Sequence, residues 1–532
     1  MCYNENNIIS RYDVRVDIAY YNESEPDINK LKEVTIKTNK ELGKRAFANC
    51  ENLETIIIDA PALGEESFNN CTKLNNITLT NVSEIKSSVF KGCTTLSNIE
   101  SSTITKIGDY AFSDCTNLSN ISFENVEEIG AYAFASTDFK ITNQLTNVTF
   151  GDTLKLINDY AFANCANLTT VNLGSNLEYL GSFAFSNCPN LTSFITTSTI
   201  KVINEAVFAE DELLVDVEIN GIEYINDAAF YNCYALENID LSNVVEIGMQ
   251  AFNNCNALTS VDLPKVKKLG PGAFLQAYNL TNINIPVIEY IDAQALSCIG
   301  IEEIKLPITL TYVAPTAFYY NLNHVKFTND QGEDTCEIND YIRLDKGVLY
   351  TATANDKYLL SVYPTAKPDK TYEVLFNTVR IEEYAGYFNN KIEKLILPDT
   401  LKLIGNMSFY GCTNLITVEF KSTVAPILEG TISSLNIEYE SNTEIYKLLN
   451  KYFQFNGYYP LFYGQFKDMV GMAKKMTIVI PENADEETYK DTVYSLYFEI
   501  EKMQKKRNIT YCFSFLLILI FLLQLCFHAL IH

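Results

Sequence analysis

Ile247-Gly248-Met249-Gln250-Ala251-Phe252-Asn253-Asn254-Cys255-Asn256-Ala257-Leu258-Thr259-Ser260-Val261-Asp262-Leu263-Pro264 is the stretch whose reading decides the fold. Its spaced apolar positions are Phe, Cys, Leu, Val and Leu, with polar residues between them. From Leu258 to Leu263 the pattern alternates loosely with a period of two and stops at Pro264. Proline cannot donate to a strand ladder, so the segment reads as a short strand closed by a turn.

The same signature returns fifteen times, most often as Ala-Phe followed by Cys three residues later and Leu six residues later. The anchors are Phe47, Phe68, Phe90, Phe112, Phe134, Phe162, Phe185, Phe208, Phe230, Phe252, Phe274, then Leu296 in place of Phe, then Phe318, Phe388 and Phe409. Their spacing is 22, give or take one, except for 28 from Phe134 to Phe162 and 70 from Phe318 to Phe388. A period in the twenties means one small supersecondary unit stacked on itself. Equivalent strands are expected at Leu53 to Ile58, Leu74 to Leu79, Leu118 to Phe123, Leu168 to Leu173, Leu236 to Leu241 and Leu280 to Ile285. Stacked about 4.8 Å apart they form a parallel sheet, on the order of 70 Å long for the whole set. No coil stands alone: burying one Phe contributes about 1.5–3 kcal/mol, against about 1–2 kcal/mol of backbone entropy for every residue ordered.

The pattern Ile-Gly-x-x-Ala-Phe-x-x-Cys-x-x-Leu-x-x-Val-x-Leu-Pro at Ile247 to Pro264, varied in most other coils, resembles the BspA-like leucine-rich repeat. The resemblance runs from Leu42 to Phe420. Leu344-Asp345-Lys346-Gly347-Val348-Leu349-Tyr350, followed by Leu359-Leu360-Ser361-Val362-Tyr363-Pro364, is similar to the β-hairpin insert common in that family. The resemblance implies a β-rich leucine-rich repeat solenoid: a parallel sheet with short turns and helical pieces. It also implies a surface antigen of adhesion type, in some relatives with one membrane span near the C-terminus, and no shared catalytic motif.

Of 532 residues, 66 are acidic and 40 basic, a formal net charge of −26 that opposes phosphate backbones and argues against nucleic-acid binding. Fourteen cysteines would elsewhere point to disulfides or zinc. Here Cys50, Cys71, Cys93, Cys115, Cys165, Cys188, Cys233, Cys255 and Cys412 each follow an anchor Phe by three residues, so they read as one buried thiol column. No Cys-x-x-Cys pair occurs, and His324 is the one histidine outside the last five residues, so no metal or cofactor is expected.

Tyr511 to Ile531 is 21 residues long without Asp, Glu, Lys or Arg, about 31 Å as a helix and enough to cross a hydrocarbon core. Lys502, Lys505, Lys506 and Arg507 precede it, and Met1 to Lys30 has no apolar run long enough for a signal-peptide core. The positive-inside bias then places the repeats in the cytosol, as in a tail-anchored protein, whereas the family resemblance favours the cell surface. Sequons such as those at Asn76, Asn147, Asn167 and Asn279 do not decide between them.

The expected organisation is a lead-in and cap over 1–41, repeats over 42–326, a β-hairpin insert over 327–380 and the last repeats over 381–422. A C-terminal cap follows over 423–484, with eight aromatics between Ile445 and Tyr463, then an amphipathic membrane-proximal helix over 485–510 and the membrane span over 511–531. The turns at Asp345-Lys346-Gly347 and Asn355-Asp356 are assigned to the insert, which is either packed against the repeats or a projecting contact surface. No Gly-rich phosphate loop, EF-hand or His-Glu-x-x-His occurs, and the pairs Glu127-Glu128, Glu302-Glu303 and Glu382-Glu383 fall in solvated turns. Two readings remain: a non-enzymatic surface protein recognising a protein or cell-surface ligand through residues such as Thr259, Ser260 and Asp262, or an intracellular tail-anchored scaffold. A hydrolase built on a carboxylate pair stands well behind both.

Overall fold

A computed structural model describes residues 31–428, apart from 138–142, 299, 320–324, 354, 366, 388, 406–407, 410–411 and 413, together with 476–485 and 498–502. The chain divides into two units, Met1–Leu280 and Thr281–His532. Met1 to Lys30, His324, Phe388, the aromatic run Ile445 to Tyr463 and the expected span Tyr511 to Ile531 lie outside the described residues.

In the first unit each coil contributes two strands. The first is the one the sequence shows: Thr55–Asp59, Asn76–Thr80, Asn98–Glu100, Asn120–Phe123, Asn147–Phe150 and Thr170–Asn172 lie in parallel sheets. Equivalent residues pair, as in Val34↔Ile56↔Ile77 and Ile99↔Ile121↔Val148↔Val171. Asn120 pairs with Asn147 in that same register, so the six extra residues of the long coil lie outside the sheet. Each strand starts two residues later than expected, because the motif Leu still belongs to the turn: Leu53 N–H donates to Cys50 O and Leu74 N–H to Cys71 O, each at 3.0 Å. The second strand was not anticipated. It is two residues long and centred on the motif Ile: Ala62–Leu63, Glu84–Ile85, Lys106–Ile107, Glu128–Ile129, Leu156–Ile157 and Tyr179–Leu180 form a second parallel sheet.

Between the second strand of one coil and the first strand of the next the backbone makes turns; no helix occurs among the described residues, where helical pieces were expected. The turn segment alternates two kinds of bond. Ala46, Ala48 and Cys50 donate three residues back within the coil, whereas Arg45, Phe47 and Asn49 donate across to Glu65, Ser67 and Asn69. This alternation places the residues two before and two after most anchors of the first unit at positive φ, for example Gln250 (54°) and Asn254 (63°). The second of these positions is most often Asn, the residue besides Gly that best tolerates the left-handed region. A left-handed residue costs about 1–2 kcal/mol, and the bonds to the next coil offset it.

In the second unit the insert is an antiparallel meander of Cys336–Glu337, Ile342–Asp345, Val348–Thr353 and Lys357–Val362. Lys346 (φ 50°) and Gly347 (φ 73°) make one hairpin turn, and Asn355 (φ 68°) and Asp356 (φ 54°) the other, the paired positive values of a tight two-residue turn. The insert is joined to a repeat sheet. Lys357–Val362 pairs in parallel with Thr378–Ile381, so the meander heads a repeat sheet that continues through Leu403–Ile404 and Ile427–Leu428. The other sheet runs Thr371–Glu373, Lys394–Leu397, Thr417–Phe420, Met476–Ile480 and Phe498–Lys502, all parallel.

Two expectations fail there. Within the expected helix over 485–510 the described residues Phe498–Lys502 are a strand: their Phe-Glu-Ile-Glu pattern also satisfies a period of two, and they pair in parallel with Met476–Ile480, while residues 486–497 and 503–510 lie outside the described residues. The cap over 423–484 carries further repeat strands, and Ile478-Val479-Ile480-Pro481 repeats the Val261-Asp262-Leu263-Pro264 signature that should have flagged them.

Candidate functional site

The anchor rings form one stack. Phe47, Phe68, Phe90, Phe112, Phe134, Phe162, Phe185, Phe208, Phe230, Phe252 and Phe274 follow each other at 5.1–6.1 Å between centroids, within 16° of parallel. All are buried, as are Leu296, Phe318 and Phe409 in the second unit. Phe388, expected as the anchor of its coil, lies outside the described residues. Gly386 holds that register, since its N–H donates to Ser408 O as Phe47 N–H donates to Ser67 O, and Cys412 Sγ donates to its carbonyl. A Cβ at Gly386 would lie 2.5 Å from the Phe409 ring. The chain gave up an aromatic where its neighbours fill the space.

The thiol column has a function that composition did not reveal. Cys71 Sγ donates to Phe47 O (3.2 Å), Cys93 to Phe68 O (3.3 Å), Cys115 to Phe90 O (3.1 Å), Cys165 to Phe134 O (3.5 Å), Cys188 to Phe162 O (3.3 Å), Cys233 to Phe208 O (3.0 Å) and Cys255 to Phe230 O (3.2 Å). Each thiol thus caps the anchor carbonyl of the coil before it. Cys50 is buried at the start of the column. Burial pushes Cys93 up to about 12 and Cys115, Cys188 and Cys233 well above the ordinary thiol range. Protonated thiols are neither nucleophiles nor metal ligands, and no group of His, Cys, Asp or Glu able to hold a metal ion occurs among the described residues.

At Phe208 the column position is Asp211, fully buried. Its Oδ1 accepts the Cys188 N–H at 2.7 Å, and its Oδ2 has no hydrogen-bond partner among the described residues. Burial raises its pKa well above the carboxylate range, which leaves the acid neutral in the core. The acidic pairs do not form a reactive dyad: Glu127, Glu302, Glu303 and Glu383 are exposed, Glu128 is ion-paired to Lys106 at 2.8 Å, and Glu382 to Arg380 at 2.8 Å.

What the coils leave outside is polar and ordered. Asn98, Asn120, Asn147 and Thr170 form an exposed in-register row on the first-strand sheet, with Asn147 Nδ2 donating to Asn120 Oδ1 at 2.7 Å. Thr259, Ser260 and Asp262 are exposed on either side of buried Val261. On the turn side lies a second aromatic stack that the sequence reading missed. Tyr110, Tyr132, Tyr160 and Phe183 are half-buried, 4.6–4.8 Å apart and within 4° of parallel. They occupy the left-handed position two residues before four successive anchors, and aromatic residues recurring there were the available signal. Beyond Phe183, Glu205, Tyr224, Ile225, Asn226, Asp227, Glu246 and Gly248 line a cleft of about 320 Å³.

The profile of the BspA type leucine-rich repeat region, built of six copies, matches residues 40–144, 137–245, 223–336 and 377–458. Among curated proteins, none matches the chain. Solved structures similar to it include a leucine-rich repeat protein from Bacteroides ovatus at 21% identity, covering 74% of this chain and 88% of that one with a TM-score of 0.43. A leucine-rich cell surface protein from Faecalibacterium prausnitzii is 17% identical over 80% of this chain and 88% of that one, with a TM-score of 0.33. A T. pallidum leucine-rich repeat protein is 23% identical over 36% of this chain and 86% of that one, at a TM-score of 0.29. With the six-copy profile spanning most of its length, and with two parallel strands, a stacked ring and a buried thiol in coil after coil, the chain belongs to the BspA-type leucine-rich repeat family.

Proposed function

We propose that this is a non-enzymatic, membrane-anchored recognition protein of the surface-antigen or adhesion type, whose exposed strand face contacts a protein ligand. The observation that carries this reading is the in-register row Asn98, Asn120, Asn147 and Thr170: an exposed array of hydrogen-bonding groups set over a buried, stacked core. The cell-surface relative from Faecalibacterium prausnitzii and the apolar run Tyr511 to Ile531 agree with a surface protein held by one C-terminal span. Purified full chain should bind saturably to trypsin-sensitive sites on cells, and Asn120→Arg with Asn147→Arg should abolish it. Binding that never saturates, or that ignores both substitutions, overturns the proposal.

The basic cluster Lys502, Lys505, Lys506 and Arg507 beside the apolar run favours a second reading, an intracellular tail-anchored scaffold. Protease treatment of intact cells separates the two. Digestion of a repeat epitope places the repeats outside, whereas survival until permeabilisation places them in the cytosol.

A further inference from the structure

One boundary between coils of the first unit is built differently from the rest. Thr170–Asn172 ends one first-strand sheet and Ser193–Thr199 begins the next, and at the same boundary Tyr179–Leu180 ends one second-strand sheet and Val202–Ile203 begins another. Elsewhere among the described residues of this unit, a break in the first-strand sheet is bridged by the second strands: Glu84–Ile85 pairs with Lys106–Ile107, and Glu246–Ile247 with Lys268–Leu269. The cause is one side chain. The core-side row of the first strands runs Ile99, Ile121, Val148 and Val171, then Phe194, then Val217 and Ile239. The Phe194 ring meets Phe185 edge-on at 5.3 Å and Phe208 at 4.8 Å. Those two anchors are 6.1 Å apart, where other neighbours in the stack are 5.1–5.7 Å apart. An aromatic in a place sized for Val or Ile wedges the coils apart.

What still crosses this boundary lies mainly on the turn face. Phe183, Phe185 and Asn187 N–H donate to Glu205 O at 2.9 Å, Val207 O at 3.0 Å and Ala209 O at 2.7 Å. Cys188 N–H donates across it to Asp211 Oδ1 at 2.7 Å, whereas Cys165 and Cys233 N–H donate within their own turns to Phe162 O and Phe230 O. Between the second strands, Asn204 Nδ2 donates to Leu180 O at 2.7 Å where the other coils pair through the backbone. We propose that this boundary is a hinge: the unit opens there on both strand faces while the turn face holds, and the coils up to Tyr179–Leu180 move as one block against those from Val202–Ile203 onward. With both ladders absent, opening there breaks fewer hydrogen bonds than at a boundary that a sheet crosses. Thr170, the last of the exposed in-register row, stands at the edge of the first block, so the row ends where the hinge begins. The hinge stands whether or not that row binds a ligand.

The buried thiols report the motion. Cys188 is fully buried beside the boundary, so a gap that never widens leaves it unreactive and only opening exposes it. The full chain in detergent is pulsed with N-ethylmaleimide under native conditions, and the modification of each column thiol is followed by mass spectrometry after digestion. Cys188 should react at least about tenfold faster than Cys93 and Cys255, whose coils are joined to the next by second-strand pairing. Phe194→Val, which restores the aliphatic row, should bring Cys188 down to the rate of the other two while the circular dichroism spectrum stays that of the parent. The direction is diagnostic, because truncating a ring that only fills the core loosens its surroundings and raises the rate. Equal rates at the three thiols overturn the hinge within the parent chain, with no variant needed, and a Cys188 rate that rises in Phe194→Val overturns it as well. Either result leaves the recognition reading standing, because that reading fails only in the cell-binding assay with Asn120→Arg and Asn147→Arg.

Discussion

The first unit and the stretch around Tyr350 to Phe420 share one coil register but fill it differently. In the first unit the anchor position is Phe in coil after coil, and the rings stack nearly parallel. In the second, Tyr363 N–H donates to Ala385 O as an anchor would, Gly386 follows in the next coil, and Phe409 lies tilted 59° to the Tyr363 ring at 6.3 Å. A hydroxyl network accompanies the change: Tyr350 and Tyr372 hydroxyls are 2.7 Å apart, Tyr372 donates to Asp345 Oδ2 at 2.9 Å, and Leu375 N–H donates to Tyr350 Oη at 3.2 Å. What persists is the thiol-to-carbonyl bond, here Cys412 Sγ to Gly386 O at 3.1 Å. The repeat is therefore defined by its backbone bonding pattern, and the ring is one way among several to fill the space that the pattern leaves.

The comparison breaks most visibly at the rings. Phe252→Ala removes a buried ring stacked on both sides, and should cost about 3–5 kcal/mol as a core cavity, melting several coils together. An unchanged melting temperature in a thermal scan would refute the shared-core account. In the other unit the opposite change is the harmful one. Gly386→Ala pushes a methyl to within 2.5 Å of the Phe409 ring and should cost about 1–3 kcal/mol by overpacking, read as a lower urea midpoint.

Asp211 tests whether the column position requires a thiol. Its carboxyl is neutral in the fold and has an Oδ2 without a hydrogen-bond partner among the described residues, so Asp211→Cys should stabilise the chain by about 1–3 kcal/mol at neutral pH. The sign with pH follows from the raised folded pKa. Asp211's contribution is fully present below the unfolded carboxyl's range near about 3.9, and is lost as pH rises through the raised value. Urea midpoints of parent and variant should therefore diverge as the pH is raised from about 4 to about 8. Curves that stay parallel would mean that Asp211 finds a partner when ionised.

The period, the parallel sheet and the buried Phe and Cys positions were legible because one apolar pattern recurs with a step near 22. The second strand was not, because two residues such as Glu246–Ile247 are too short to show alternation and acquire strand character only from the coils beside them. The same holds for Gly386. Phe388 reads as an anchor because it is the nearest Phe, yet the preceding Tyr384 at φ 57° and Ala385 mark the register two residues earlier. Of the exposed surfaces, the strand face followed from alternation, whereas the Tyr110 to Phe183 ladder required knowing that left-handed residues of successive coils lie one above another. Phe498–Lys502 was ambiguous for a plain reason: Phe498 and Ile500 suit a strand as readily as the 486–507 apolar set suits a helix, and the neighbouring strand decided the matter.

The smallest expected effect separates the two columns of the core. In Cys255→Ala the thiol donor to Phe230 O disappears, but that carbonyl still accepts the Cys233 N–H at 3.2 Å, so no buried acceptor is left without a partner. The loss should be about 1 kcal/mol, the net value of one ordinary hydrogen bond, and well below that of Phe252→Ala in the same coil. If the two variants lower the urea midpoint equally, the sulfur column carries as much of the coil-to-coil cohesion as the rings. The replacement of Phe by Gly386 would then be explained by the thiol bond that both units keep, and not by the way Tyr363 and Phe409 fill the gap.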